Sequence, residues 1–163
     1  MSQTFFFIKF VSYALDTESR CYFCQWGPEN EWHVFGKCAK LRPLWNALDE
    51  VVKIAFNTNQ YSFLKNRTVT GDYDVVSTRC PKPCEDAIIY LNSIVNHKIY
   101  QLRNEMKYDS QSFDVECLFS KVLNCVIARK RMENHLTQTM RVEKIAELHN
   151  ALLFVKNIFD TYR

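Results

Sequence analysis

Glycine and proline are scarce in this chain, three and four among 163 residues. A sandwich or barrel of short strands draws heavily on both types for its turns, so an all-β fold is disfavoured. Long apolar runs are also missing. The most apolar stretch, Phe5 to Leu15, is interrupted by Lys9 and falls far short of the about 20 residues a membrane helix needs. Ser12-Tyr13-Ala14 imitates a signal-cleavage site, yet no basic segment precedes the run. The expectation is an intracellular protein, nuclear or cytoplasmic, without a membrane partner. Asn66-Arg67-Thr68 is a glycosylation sequon that matters only in a secreted chain. Charge of one sign is scarce too, since a net charge of +3 does not by itself imply a polyanionic partner.

Cysteine is not scarce. Seven is an odd number, which a closed disulfide framework does not explain. Three of the seven fall together with a histidine: Cys21, Cys24, His33 and Cys38 read C-x2-C-x8-H-x4-C. Zinc takes four nitrogen or sulfur ligands in a tetrahedron, and this stretch offers three thiolates and an imidazole. Two cysteines so close form a tight knuckle, and Trp26-Gly27-Pro28 supplies the turn after it. Gly36 lets the backbone bend between the last two ligands. The competing reading is a core histidine with three reduced core cysteines. The gathering of all four ligands within eighteen residues argues for the metal.

Periodicity predicts the rest to be mainly α: a small zinc knuckle followed by a bundle of about four helices. After an N-terminal segment (1–19), a metal module with its following helix covers 20–56. In that helix, expected over about 41–56, Leu41, Leu44, Leu48, Val51, Val52 and Ala55 recur at spacings of three and four. Residues 57–84 have no helical period and read as a loop, with a short strand at 73–77. Residues 85–163 read as three antiparallel helices, up-down-up. The first, over 85–107, carries the stripe Ile88, Leu91, Val95, Ile99, Leu102 and Met106. The second, over 112–136, carries Val115, Leu118, Phe119, Val122, Val126 and Ile127, with Ser112, Ser110 or Asp109 as its cap. The third, over 139–162, carries Val142, Ile145, Leu148, Leu152, Val155 and Phe159.

The charge distribution says more than its sum. Residues 37–67 hold six Lys or Arg against two acidic residues, whereas residues 1–36 hold two against four. Positive charge therefore begins at the fourth ligand. Among the aromatic residues around the site, Phe23, Phe35 and Trp45 are expected inside and Trp26 outside. An exposed indole beside Lys37, Lys40 and Arg42 is the equipment of a single-strand binder, a stacking face with phosphate contacts. The plainer reading is a solvated basic face with a tryptophan sealing the metal. Arg129-Lys130-Arg131 could extend such a surface, but such runs are more often simply solvated.

Arg20-Cys21-Tyr22-Phe23-Cys24-Gln25, then Glu29 to Cys38, then Leu41-Arg42-Pro43-Leu44-Trp45, resembles the zinc-binding domain of non-LTR (LINE-type) retrotransposon reverse transcriptases. That family has a Cys pair, a Glu-Thr-x-x-His stretch, a Cys after four residues and a Leu-Trp pair. Here Asn30 stands where Thr is usual. Tyr100-Gln101-Leu102-Arg103-Asn104 also looks like the helical tail behind that zinc site. The resemblance implies a zinc-dependent nucleic-acid-binding module, for RNA or for single-stranded or nicked DNA, that works without catalysis. The polymerase Phe/Tyr-x-Asp-Asp motif has no match, so the chain looks like a detached or degenerate C-terminal piece. The alternatives are a zinc-built scaffold for a protein partner and a retrotransposon fragment without function. Cys80 and Cys84 with His97 begin like a two-Cys two-His finger, but no second His follows, which leaves a redox pair or plain loop cysteines. Cys117 and Cys125 are expected in the core of their helix. No nucleophile is marked near His97, His135 or His149, so no catalytic triad is expected.

Overall fold

The computed structural model describes residues 20–58, 61–63, 82–109, 112–133 and 140–161. The expected N-terminal segment, most of the 57–84 loop with its strand, Cys80 and His135 lie outside the described residues. Among those described, the protein is mainly helical and forms no strand, only an isolated bridge between Arg20 and Pro28.

Four helices follow the ligand loop: α1 Arg42–Phe56, α2 Lys82–Tyr108, α3 Val115–Glu133 and α4 Met140–Thr161. Pro43 stands in the first turn of α1, where its missing N–H costs nothing. Asn57 ends the helix in the left-handed region at φ 50°, a task often given to glycine. Helix α2 starts three residues earlier than expected and takes Pro83 into its first turn. Helix α3 is capped by Asp114 rather than by Ser112 or Asp109, and Ser110 lies outside the described residues. Asp114 Oδ1 accepts from the N–H groups of Glu116 and Cys117, at 2.9 and 3.3 Å. A carboxylate there also meets the positive end of the helix dipole.

The stripes face inward as their spacing requires. Leu44, Leu48, Val51 and Val52 of α1 are buried together with Ile88, Leu91, Val95 and Ile99 of α2, Leu118, Phe119, Val122 and Val126 of α3, and Ile145, Leu148 and Leu152 of α4. They form one contiguous core that also takes in Cys21, Phe23, Val34, Phe35 and Cys38 of the ligand loop. Helix α4 packs on all three of the others, most extensively on α1. Thus α1, grouped with the metal module in sequence, shares its apolar face with the bundle.

Lys121 of α3 pairs with Glu105 of α2 at 2.8 Å, as neighbours across an antiparallel hairpin do. Lys144 and Glu147, early in α4, lie within electrostatic reach of Cys84 at the start of α2. The first contact sets the end of α2 beside α3, and the second sets the start of α2 near the start of α4. Residues 61–63 are not a free loop. Asp49 of α1 accepts from Phe63 N–H and from Ser62 Oγ–H, both at 2.7 Å. Phe63 is thereby buried against Trp45, with ring centroids 5.5 Å apart.

Candidate metal centre

The knuckle is built by backbone hydrogen bonds. Cys21 N–H donates to Gly27 O and Gln25 N–H donates to Cys21 O, both at 2.8 Å. This turn folds the chain back on itself, with Gln25 in the left-handed region at φ 62°. Gln25 Nε2 also donates to Tyr22 O at 3.0 Å, which ties that side chain to the turn it strains.

His33 arrives on a helical turn that Asn30 starts. Asn30 Oδ1 accepts from His33 N–H at 2.8 Å, the bond of an N-cap, and Asn30 O accepts from Val34 N–H at 2.8 Å. Thr and Asn both serve as caps, so the exchange noted at this position keeps the interaction. The next residues, Trp32–Lys37, wind as a π-helical turn closed by Cys38 N–H donating to His33 O at 2.7 Å. Gly36, expected to give a bend, lies inside that turn. The wider winding has a chemical consequence. An α-helix advances about 100° per residue, so side chains five apart would point about 140° away from each other. A turn closed from i to i+5 brings them back to the same side. The spacing His33-x4-Cys38 therefore suits two ligands only because the turn is wide.

Gly27 makes room for the imidazole. A Cβ at Gly27 would stand 2.8 Å from His33 Nε2 and closer still to Nδ1 and Cε1. The ring thus lies flat on the glycine backbone, and its Nε2 comes 3.2 Å from Cys24 Sγ.

The four donor atoms lie within 4.8 Å of one another. Cys21 Sγ and Cys38 Sγ are 3.9 Å apart. With metal–sulfur bonds of about 2.3 Å and a metal–nitrogen bond of about 2.0 Å, a tetrahedron has sulfur–sulfur edges of about 3.8 Å and sulfur–nitrogen edges of about 3.5 Å. The cluster has the donor set of a tetrahedral metal site and nearly its size, since edges of at most 4.8 Å need to close by no more than about 1 Å. Cys21 and Cys38 are buried, while Cys24 and His33 are half-buried. Cys21 donates its thiol proton to Cys38, which with burial pushes Cys21 well above the usual thiol range and lowers Cys38. The pair thus keeps a proton that a metal ion would displace, so binding should strengthen as pH rises.

Besides its share in the core, the loop is docked on the bundle by aromatic and charged contacts. Phe23 meets Phe113 edge to face at 5.6 Å. Arg103 of α2 donates from Nε and Nη2 to the two oxygens of Glu29, at 2.8 and 2.6 Å. Its guanidinium also lies 5.3 Å from the ring centroid of Tyr22. The fork on Glu29 pushes Arg103 further above its already high ordinary value. Neither Glu29 nor Arg103 was singled out by its chemistry in the sequence. A signal existed: Arg103 stands four residues after Ile99, on the inward side of α2, where an unpaired charge would be costly.

Phe23, Phe35 and Trp45 are buried, and Trp26 is 93% exposed. Lys37, Lys40 and Arg42 are all exposed. Lys37 sits over the ring of Trp32 at 5.3 Å, so a second half-open indole, 41% exposed, adjoins the basic residues. The side chains of Arg129-Lys130-Arg131 lie outside the described residues. Cys84 is buried in α2 and its thiol is pushed up by that burial, which makes it a poor nucleophile. Cys117, expected in the core, is exposed in the first turn of α3, and Cys125 is half-buried. No helix among the described residues is long and apolar enough to cross a membrane. No family model, curated protein or solved structure matches the chain.

Proposed function

We propose that this chain is a zinc-structured, non-enzymatic nucleic-acid-binding module of the kind its ligand loop resembles, the zinc domain of LINE-type reverse transcriptases. Three thiolates and an imidazole are a donor set that zinc favours, and four protein ligands leave no position for a reactive water. The observation that carries the binding reading is Trp26. An indole 93% exposed is a large apolar surface left in water. It adjoins the glycine on which the ligand histidine rests, so the metal holds its backbone in place. Lys37, Lys40 and Arg42, all exposed, flank the fourth ligand in sequence and would supply phosphate contacts. RNA or single-stranded or nicked DNA suits a surface that stacks bases rather than reads a groove, and a nuclear or cytoplasmic location follows from such a partner.

One observation favours a different use, a zinc-built scaffold for a protein. Leu153, Phe154 and Ile158 of α4 are exposed on the bundle. Salt separates the two readings, because phosphate binding weakens steeply with salt and an apolar contact does not. Anisotropy of a labelled single-stranded oligonucleotide, at two salt concentrations, is the test. Neutralising Lys37, Lys40 and Arg42 together should flatten the salt slope by up to about three units. Trp26→Ala should cost about 1–3 kcal/mol on single strands and little on duplex. Affinity that ignores both changes would remove nucleic acid from the proposal.

A further inference from the structure

Two charges, neither of them a metal ligand, are the most deeply buried among the described residues: Glu29 is 0% and Arg103 2% exposed. Taking two ions out of water is costly, and their attraction repays that cost only where the geometry is good and the remaining hydrogen-bonding groups are satisfied. Here the geometry is good. Both carboxylate oxygens accept from separate N–H groups of one guanidinium, whose third nitrogen, Nη1, donates to Asn104 Oδ1 at 2.8 Å. The contact needs a closed loop. Glu29 lies between Pro28, which bridges back to Arg20, and Asn30, which caps the turn carrying His33. Arg103 comes from α2, 74 residues further along the chain. The same guanidinium lies over Tyr22, which sits between ligands Cys21 and Cys24. One side chain of the bundle therefore grips both arms of the ligand loop, the arm with the cysteine pair and the arm that leads to His33.

The geometry points to Glu29 and Arg103 as positioning residues of the metal centre: their pairing holds the two ligand arms at binding distance, so metal affinity depends on a contact that never touches the metal. The inference rests on the cluster being a metal centre. Because a shift in one equilibrium must appear in the other, whatever the pair adds to the closed loop it adds to metal affinity.

The test is competition between the full chain and a chromogenic chelator for zinc, with cobalt(II) absorption as a second readout. Glu29→Gln and Arg103→Met should each weaken metal binding about 10–100-fold, the range typical of groups that support ligands. One metal per chain and the thiolate-to-cobalt bands should persist, since all four ligands remain. Arg103→Lys, which keeps the charge and loses the fork, should fall between. The double variant Glu29→Gln with Arg103→Met should lose less than the product of the two single losses, because no buried charge is left unpaired. Should a single variant fail to fold, Arg103→Lys and the double variant carry the comparison. Unchanged affinity with a lowered melting temperature would overturn the inference and leave the pair as a strut of the bundle. Losses that simply multiply would overturn it too, as would disappearance of the thiolate bands. No metal uptake by the unaltered chain would overturn the metal-centre reading and this one with it, whereas equal uptake by all variants overturns only this one.

Discussion

Residues 20–41 and the four helices both close on a dry interior, by different means. In the bundle each helix contributes a stripe of aliphatic side chains, and the four stripes meet in one core. No single position there is asked for special geometry, so a swap that keeps volume should be tolerated. The ligand loop buries few apolar side chains of its own, chiefly Phe23, Val34, Phe35 and Leu41. A segment of that size cannot offset its chain entropy by burial. It depends on positions with particular duties: a left-handed Gln25, a glycine under the imidazole, a capping Asn30, a wide turn before Cys38 and a buried ion pair to α2. The bundle is specified by pattern, the loop by individual residues, and the two should respond differently to damage.

Removing the metal should have the largest effect. Structural zinc contributes an apparent 10–16 kcal/mol or so in finger peptides, so the loop should hold almost none of its structure without it. Chelation, or Cys24→Ala, should abolish the one-per-chain metal content and the amide-exchange protection of residues 20–38. Helices α2 to α4 should persist by circular dichroism. Helix α1 should persist with them, because its apolar face is packed more extensively on α4 than on the loop. Loss of helicity together with the metal would erase the distinction between the two regions.

A smaller effect is expected at Gly27. A methyl group there meets the imidazole of His33, which is backed by its own helical turn and has little room to yield. Gly27→Ala should cost about 1–3 kcal/mol, the usual range for overpacking, and the cost should appear as weaker metal binding. The thermal midpoint of the metal-free bundle should not move. Cobalt(II) titration with calorimetric scans of the apoprotein would measure both, and a shifted apoprotein midpoint would place Gly27 in the bundle's economy instead.

What could be read from the sequence follows the same division. Helices were legible because three-and-four spacing repeats over many residues, and an error of three residues at an end leaves the stripe intact. The gathering of Cys21, Cys24, His33 and Cys38 was legible because their spacing is local and their chemistry narrow. The pair that docks the loop was not, since Glu29 and Arg103 are 74 residues apart and only a charge on an apolar stripe hinted at it. Cys117 was misplaced for a related reason. Its position relative to Val115, Leu118 and Phe119 decides its exposure, and it falls off that stripe. The cap of α3 is likewise a local matter, since Asp114 stands directly before the first helical residue.

Asn30 gives the smallest expected effect and the finest comparison. Its side chain satisfies the N–H of His33 at 2.8 Å, so it both starts a helical turn and steadies a ligand's backbone. Asn30→Ala removes that acceptor, and cap losses of this kind cost about 1 kcal/mol. The turn forms only when the loop closes, so the cost should be read out as about fivefold weaker metal binding, by the conversion of about 1.4 kcal/mol per tenfold. Asn30→Thr restores a capping oxygen and should bind within about twofold of the unaltered chain, since Thr trails Asn only slightly as a cap. Chelator competition on the three proteins resolves differences of this size. Equal affinities for Asn30→Ala and Asn30→Thr would mean that metal and ion pair alone set the position of His33. A loss in Asn30→Ala that Asn30→Thr repairs would show that the loop depends on single hydrogen bonds in a way the bundle does not.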